Sequence, residues 1–96
     1  MYRILTEQRR AAKRLGVTIR PSTLKNKKID VYKNGFKVAS VGDIRYNDYW
    51  IYKRLEKQKK VKPGTAKERR ELYKVRHGQE CKAVGTPGYY ACNILW

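Results

Sequence analysis

Three side chains in the sequence have types that could bind a metal or act as a nucleophile: His77, Cys81 and Cys92. They would offer three ligands to zinc, but a structural zinc site needs four, and the paired C-x-x-C spacing is absent. A nucleophilic cysteine would need His77 as its base, and an ordinary thiol explains the cysteines without further parts. The pattern favours neither chemistry, and we expect no metal, no cofactor and no catalytic residue.

Ten residues lie between the two cysteines, and the N-terminus has bases but no apolar segment that would direct secretion. Cysteines in such a chain are more often free thiols than a disulfide, and we expect free thiols. No apolar run approaches the roughly 18–20 residues that cross a bilayer, so no membrane span is predicted. Neither an acid pair, a serine triad nor a phosphate-binding glycine loop can be assembled, which predicts a protein without enzymatic activity.

Positive charge dominates the sequence and is concentrated in two segments. The chain of 96 residues has 24 Lys and Arg against 8 Asp and Glu, a net charge of +16. Residues 1–28 carry nine bases and one acid, residues 53–82 carry twelve bases and four acids, and the stretch between them is neutral. The length predicts one small domain, residues 1–96. Two cationic surfaces on one domain are typical of a protein that binds a polyanion, most often nucleic acid.

The candidate binding residues are the bases that cluster in these two segments. Such cations would contact phosphates without reading sequence, and binding would weaken steeply with salt. The alternative is that they form solvated faces with no particular partner. The predicted set is Arg9, Arg10, Lys13, Arg14, Lys25, Lys27, Lys28, Lys57, Lys59, Lys60, Lys62, Arg69 and Arg70.

Aromatic residues could add base stacking to these phosphate contacts. The chain has eight tyrosines and two tryptophans, of which Tyr32 and Trp50 are the best candidates for stacking. The helical spacing of Tyr46, Tyr49 and Tyr52 instead favours packing at the edge of a core. Stacking therefore stays an alternative to simple packing.

The clearest structural signal is a β-hairpin at about residues 28–41. Asn34-Gly35 is the pair favoured in a two-residue type I′ turn, because both central residues need a positive φ. Pairing across this turn places Val31 opposite Val38. The apolar face expected to be covered by the rest of the chain consists of Ile29, Val31, Phe36 and Val38.

Three or four short helices are predicted to pack on this hairpin, which gives an α+β fold. Their expected ranges are 6–15, 47–60, 66–77 and 87–95. Gly16 is a suitable stop for the first helix, and Asn47 or Asp48 a suitable cap for the second. Residues 17–23 predict a short extended segment ended by Pro21.

Two further helix starts have local signals. Thr65 and Glu68 match a capping box, and the third helix is expected to bury Leu72 and Val75 and to stop at Gly78. Thr86-Pro87 predicts the start of the last helix. The residues expected to cover the hairpin from that helix are Tyr90, Ile94, Leu95 and Trp96.

Short motifs follow one another in a recognisable order. They are KNKK at 25–28, Gly42 followed by Tyr46 and Tyr49, RRELYKVRH at 69–77, and GTPGYY with a closing Leu95-Trp96. This order, which covers nearly the whole chain, resembles a family of small, basic, largely uncharacterised proteins of nucleocytoplasmic large DNA viruses. The resemblance implies a viral origin, a place in the virion or virus factory, and no known catalysis. It carries over no functional residues.

Charge and resemblance together predict a virion-associated structural protein that binds the viral genome or another polyanion without sequence preference. The alternative is a minor capsid or cement protein, whose cations contact acidic faces of capsid subunits. Both interpretations place the chain in a larger assembly, in the virion and, during assembly, in the cytoplasmic virus factory or the nucleus. No small-molecule substrate is expected.

Overall fold

The computed structural model describes residues 2–96 and confirms the predicted α+β class. These residues form a three-stranded antiparallel sheet and short helices around it. In chain order the elements are α1 (Thr6–Arg14), β1 (Thr18–Pro21), β2 (Lys27–Lys33), β3 (Phe36–Asp43), α2 (Tyr49–Lys57), α3 (Thr65–Arg76), α4 (Gly78–Lys82), α5 (Pro87–Tyr90) and a C-terminal π-helix (Ala91–Leu95).

The sheet has the order β1-β2-β3, so β2 is its central strand. Asn34 and Gly35 have φ values of 54° and 83°, as a type I′ turn requires, and the predicted hairpin is confirmed. The predicted extended segment becomes β1, which pairs Ile19 with Val31 of β2. A third strand thus supports a hairpin that alone would be marginal in water.

The predicted register of the hairpin is right beside the turn and wrong beyond it. Val31 lies opposite Ala39 and not opposite Val38, because a β-bulge next to Val31 shifts the pairing. Side chains alternate between the two faces of a strand, so one extra residue exchanges the faces of β3. Ala39 and Val41 are therefore buried and Val38, which was expected in the core, is exposed. Phe36, also expected in the core, keeps its predicted partner Lys33 and is exposed at the turn end of the hairpin.

The core joins α1, one face of the sheet and the C-terminal turns, that is, α5 and the π-helix. Ala12 of α1 packs with the sheet residues against Tyr90, Ile94 and Leu95. This confirms the prediction that the last apolar stretch covers the hairpin, although Trp96 is only half-buried.

Gly42 in β3 lets the C-terminal turn approach the sheet closely. Its φ is 80°, and a Cβ atom there would lie 2.7 Å from Cδ1 of Leu95. A glycine at this position therefore meets two requirements, a left-handed backbone and the absence of a side chain.

Several helix ends form as their local sequence predicts. The Asp48 carboxylate accepts a hydrogen bond from the Ile51 amide at 2.9 Å and caps α2. The Thr86 hydroxyl accepts one from the Tyr89 amide at 3.2 Å and caps α5. Gly16, with a φ of 76°, follows the end of α1.

The start of α3 is correctly placed but differently capped. Gly64, with a φ of 91°, precedes the helix, and the Glu56 carboxylate of α2 accepts a hydrogen bond from its amide. The Thr65 hydroxyl donates to the Lys62 carbonyl at 2.6 Å, so the predicted capping box with Glu68 does not form. A carboxylate from a neighbouring helix supplies the negative charge that a helix N-terminus favours.

Helices α2 and α3 form an outer layer with little buried surface. Within Tyr49–Lys57 no residue is buried, and α3 buries only Ala66. Leu72 and Val75, which were expected in the core, are exposed. The reason is that α3 meets the rest of the protein through Arg70 and Tyr73, which contact aromatic rings rather than the apolar core.

Helix α4 was not predicted, and it contains one of the two cysteines. Cys81 in α4 and Cys92 in the π-helix form a disulfide, so the expectation of free thiols is wrong. The chain folds back between them and brings their Cα atoms to 5.3 Å, which a separation of eleven residues does not reveal. Because each sulfur is bonded to the other, neither offers a thiolate to zinc or to a substrate.

A buried polar cluster attaches α2 to the sheet and to the N-terminal segment. Lys28 Nζ lies 2.9 Å from Oδ2 of Asp48, and the two side chains are 3% and 1% exposed. The Tyr2 hydroxyl donates to the same oxygen at 2.6 Å and accepts from Nε2 of Gln8 at 2.8 Å. Burial and the Asp48 carboxylate raise the pKa of Tyr2 above its ordinary value, so this hydroxyl remains a donor.

Substituting Lys28→Met should strongly destabilise the protein, because the Asp48 carboxylate would stay buried without its cation. We expect a loss of about 3–5 kcal/mol in the free energy of unfolding, measured by urea denaturation. In the matched double variant Lys28→Met/Asp48→Asn the loss should be clearly smaller, since no charge is left unpaired. A single variant within 1 kcal/mol of the parent would show that the pair does not have this role.

Reducing the disulfide should lower stability, because the bond closes a loop of about a dozen residues in the unfolded chain. The expected loss is about 3 kcal/mol, or a fall in Tm of more than about 10 °C. Thermal unfolding with and without a phosphine reductant measures it. The variant Cys81→Ser/Cys92→Ser is the control, and its Tm should not respond to the reductant. Equal Tm values for reduced and oxidised protein would contradict this role.

Candidate polyanion-binding groove

Two adjoining clefts lie between the N-terminal part of the chain and the outer helices. The larger cleft, about 1010 Å³, is lined by the N-terminal segment, α2 and the start of α3. The smaller cleft, about 410 Å³, is lined by α1, α3 and the C-terminal residues. Glu7 and Trp50 line both clefts, so the two adjoin each other. We refer to the two clefts together as the groove.

Cations outnumber acids along the groove by a wide margin. Its acids are Glu7 and Glu56, and Glu56 already caps α3. Clefts lined by one sign of charge concentrate the electrostatic field and attract ligands of the opposite sign. The nine cations are Arg3, Lys53, Arg54, Lys57 and Lys67 in the larger cleft, and Arg10, Arg14, Arg70 and Lys74 in the smaller one.

The groove brings together the two basic segments that the sequence predicts. Arg10 and Arg14 belong to the segment 1–28, and Arg70 to the segment 53–82. The link between them is the C-terminal turn, since α1 packs on the π-helix and the Nε atom of Arg70 donates to the main-chain oxygen of Trp96 at 2.8 Å. Two charge clusters far apart in sequence therefore become one surface.

The thirteen predicted binding residues fall into three groups. Four of them line the groove: Arg10, Arg14, Lys57 and Arg70. Eight are exposed but do not line it: Arg9, Lys13, Lys25, Lys27, Lys59, Lys60, Lys62 and Arg69. The remaining one, Lys28, is buried.

The prediction is wrong for Lys28. Its ammonium group pairs with the buried carboxylate of Asp48 and cannot reach a phosphate in solution. The sequence shows this lysine within a basic run, and only the fold shows that an acid twenty residues further on neutralises it. Lys28 is therefore part of the interior of the protein.

Five cations of the groove were missed by the sequence analysis: Arg3, Lys53, Arg54, Lys67 and Lys74. Helical spacing was the signal that could have found most of them. Lys67, Arg70 and Lys74 recur at intervals of three and four residues, which places them on one face of α3. The densest run of lysines in the sequence, residues 57–62, contributes only Lys57 to the groove.

Arg70 is held in place by aromatic and main-chain contacts. Its guanidinium carbon lies 3.6 Å from the centre of the Tyr49 ring, a short cation–π contact. With its bond to Trp96, this contact fixes a cation between the outer layer and the C-terminal turn. The positive charge is thus presented to the smaller cleft in a defined position.

Both tryptophans line the groove and are also held in place. The Trp50 indole donates to the Ile94 carbonyl at 3.2 Å, and its ring meets the Tyr49 ring edge-on with centres 5.1 Å apart. Trp96 stacks on Tyr73 at 4.6 Å with an angle of 11° between the rings. Of the two predicted stacking residues, Trp50 lies in the groove, whereas Tyr32 lies on the sheet beside Arg20.

Among residues 2–96, no three His, Cys, Asp or Glu side chains come close enough to hold a metal ion. No helix in the same range has the length and apolar character needed to cross a membrane. The groove offers cations and aromatic rings, a combination that can bind an anionic ligand with planar groups.

Comparisons with protein-family models, with curated proteins and with solved structures found no match to this chain.

Proposed function

We propose that this chain is a non-enzymatic structural protein that binds nucleic acid through the groove without sequence preference. The observation that carries the proposal is the lining of the groove, nine cations against two acids. Lysine and arginine side chains contact phosphates wherever they occur along a strand. Such contacts give affinity and position without selecting a sequence.

Because the net charge is +16, binding of a polyanion should also increase the stability of the folded protein. Repulsion among uncompensated cations destabilises a compact chain, most of all at low salt. A ligand that binds only the folded state also stabilises that state. Binding should therefore neutralise the groove and strengthen the fold together.

The setting that we propose is a viral particle. The order of motifs that resembles proteins of nucleocytoplasmic large DNA viruses supports it, and the viral genome is then the nucleic acid in question. On this proposal the protein is present in the virion and, during assembly, in the virus factory or the nucleus. A cationic protein without sequence preference suits the packaging of a long DNA.

Charge reversal in the groove tests the proposal. In Arg10→Glu/Arg14→Glu two exposed cations of the smaller cleft are reversed, and Lys33→Glu/Lys37→Glu makes the same change of net charge on the hairpin, outside the groove. Affinity for two duplexes of unrelated sequence is measured by fluorescence anisotropy from about 50 to 300 mM salt. We expect equal affinity for both sequences, at least tenfold weaker binding by the groove variant, and a salt slope reduced by about one per lost contact.

The control variant and an acidic protein give the contrary outcomes. Equal losses in the groove and hairpin variants would show that net charge alone decides binding and that the groove is not the site. If the parent protein binds the acidic protein as tightly as it binds DNA, the minor capsid or cement function is favoured instead. Circular dichroism of each variant confirms that the fold is retained.

A further inference from the structure

We infer that the groove binds single-stranded nucleic acid in preference to duplex, with unpaired bases stacked on Trp50. This inference rests on the proposed function and specifies the form of nucleic acid that the same site takes.

The larger cleft has more apolar surface than phosphate binding requires. Besides its five cations it is lined by apolar and aromatic residues, namely Tyr2, Leu5, Tyr49, Trp50, Ile51 and Pro63. A duplex presents phosphates outward and keeps the faces of its bases stacked inside, so it gains little from such a lining. A single strand has free base faces that can cover it.

Cations and an aromatic ring share one face of α2. Three cations follow Trp50 in α2 at intervals of three, four and seven residues, which places them on its side of the helix: Lys53, Arg54 and Lys57. They line the larger cleft together with Trp50. A base can therefore stack on the ring while the phosphates on either side of it contact the next turn of the same helix. Single-strand binding sites combine these two elements, a stacking ring and a cationic track.

The Trp50 ring is already oriented before a ligand arrives. Its indole nitrogen donates a hydrogen bond to the Ile94 carbonyl, and its ring plane is held perpendicular to the Tyr49 ring. The Tyr49 ring is in turn held by the guanidinium group of Arg70. A ring held in this way loses little conformational freedom on binding, which raises affinity. Because Arg70 occupies a face of Tyr49, Trp50 is the ring to which we assign the stacking.

Intrinsic fluorescence gives the first test, since both tryptophans of the chain line the groove. The probes are an oligothymidine of about sixteen nucleotides, within the range of known single-strand site sizes, and a duplex of equal length. We expect the single strand to quench the emission and to bind at least tenfold more tightly than the duplex at the same salt. Inorganic polyphosphate should bind without comparable quenching, because it has no bases. Oligodeoxyuridine and oligouridine of equal length, which differ only in the sugar, show which sugar is preferred.

Substitution of Trp50 gives the second test. Trp50→Leu keeps an apolar side chain but removes the ring, and single-strand affinity should fall about tenfold while duplex affinity falls much less. Trp50→Phe should recover part of the loss. The matched control is Phe36→Leu, which removes an exposed aromatic ring from the hairpin and should change neither affinity.

The outcomes separate this inference from the proposed function. Equal affinities for single strand and duplex, without quenching, would overturn the preference while leaving nucleic-acid binding through the cations intact. The absence of binding to either probe would overturn both. If Trp50→Leu does not fold, quenching of the parent protein by oligothymidine but not by polyphosphate still decides the matter.

Discussion

The buried pair of Lys28 and Asp48 is the interaction on which the rest of the structure depends. It connects the central strand of the sheet to the first turn of α2, and Asp48 also caps that helix. Since no side chain within Tyr49–Lys57 is buried, apolar packing alone does not place α2. Its position is set at its N-terminus by a charge pair that burial makes costly to break. The position of α2 in turn determines where Trp50 lines the groove, because Trp50 lies two residues beyond Asp48.

The protein uses its cations in two different ways, and charge counts do not distinguish them. Lys28 compensates a buried acid, and Arg70 connects an aromatic ring to the C-terminal turn. Most of the others are exposed and are free to respond to an anion. Arg70 belongs to both groups, since it lines the smaller cleft while it holds Trp96. The site and the packing of the outer layer therefore share a residue, and neither can be altered there alone.

Most features set by neighbours in sequence were predictable, the capping box at Thr65 being the exception, and features set by distant partners were not. The turn at Asn34-Gly35 and the cap at Thr86 depend on a few adjacent residues, and both formed as expected. The bulge beside Val31 follows from how the whole sheet packs, and it reversed the predicted faces of β3. The disulfide and the burial of Lys28 likewise depend on contacts that only the complete fold creates. For the groove, the sequence indicated the two basic segments but not that they meet.

The contribution of the C-terminal turns to the core has a consequence for how the protein is made. Ile94 and Leu95 cover the sheet, and they leave the ribosome after every other residue of the core. Until they emerge, α1 covers the apolar face of the three strands only in part, and a small sheet with an open apolar face is marginal in water. We expect the nascent chain to complete its core only when these residues emerge, and a chain that stalls before them to keep an open sheet that is prone to aggregate.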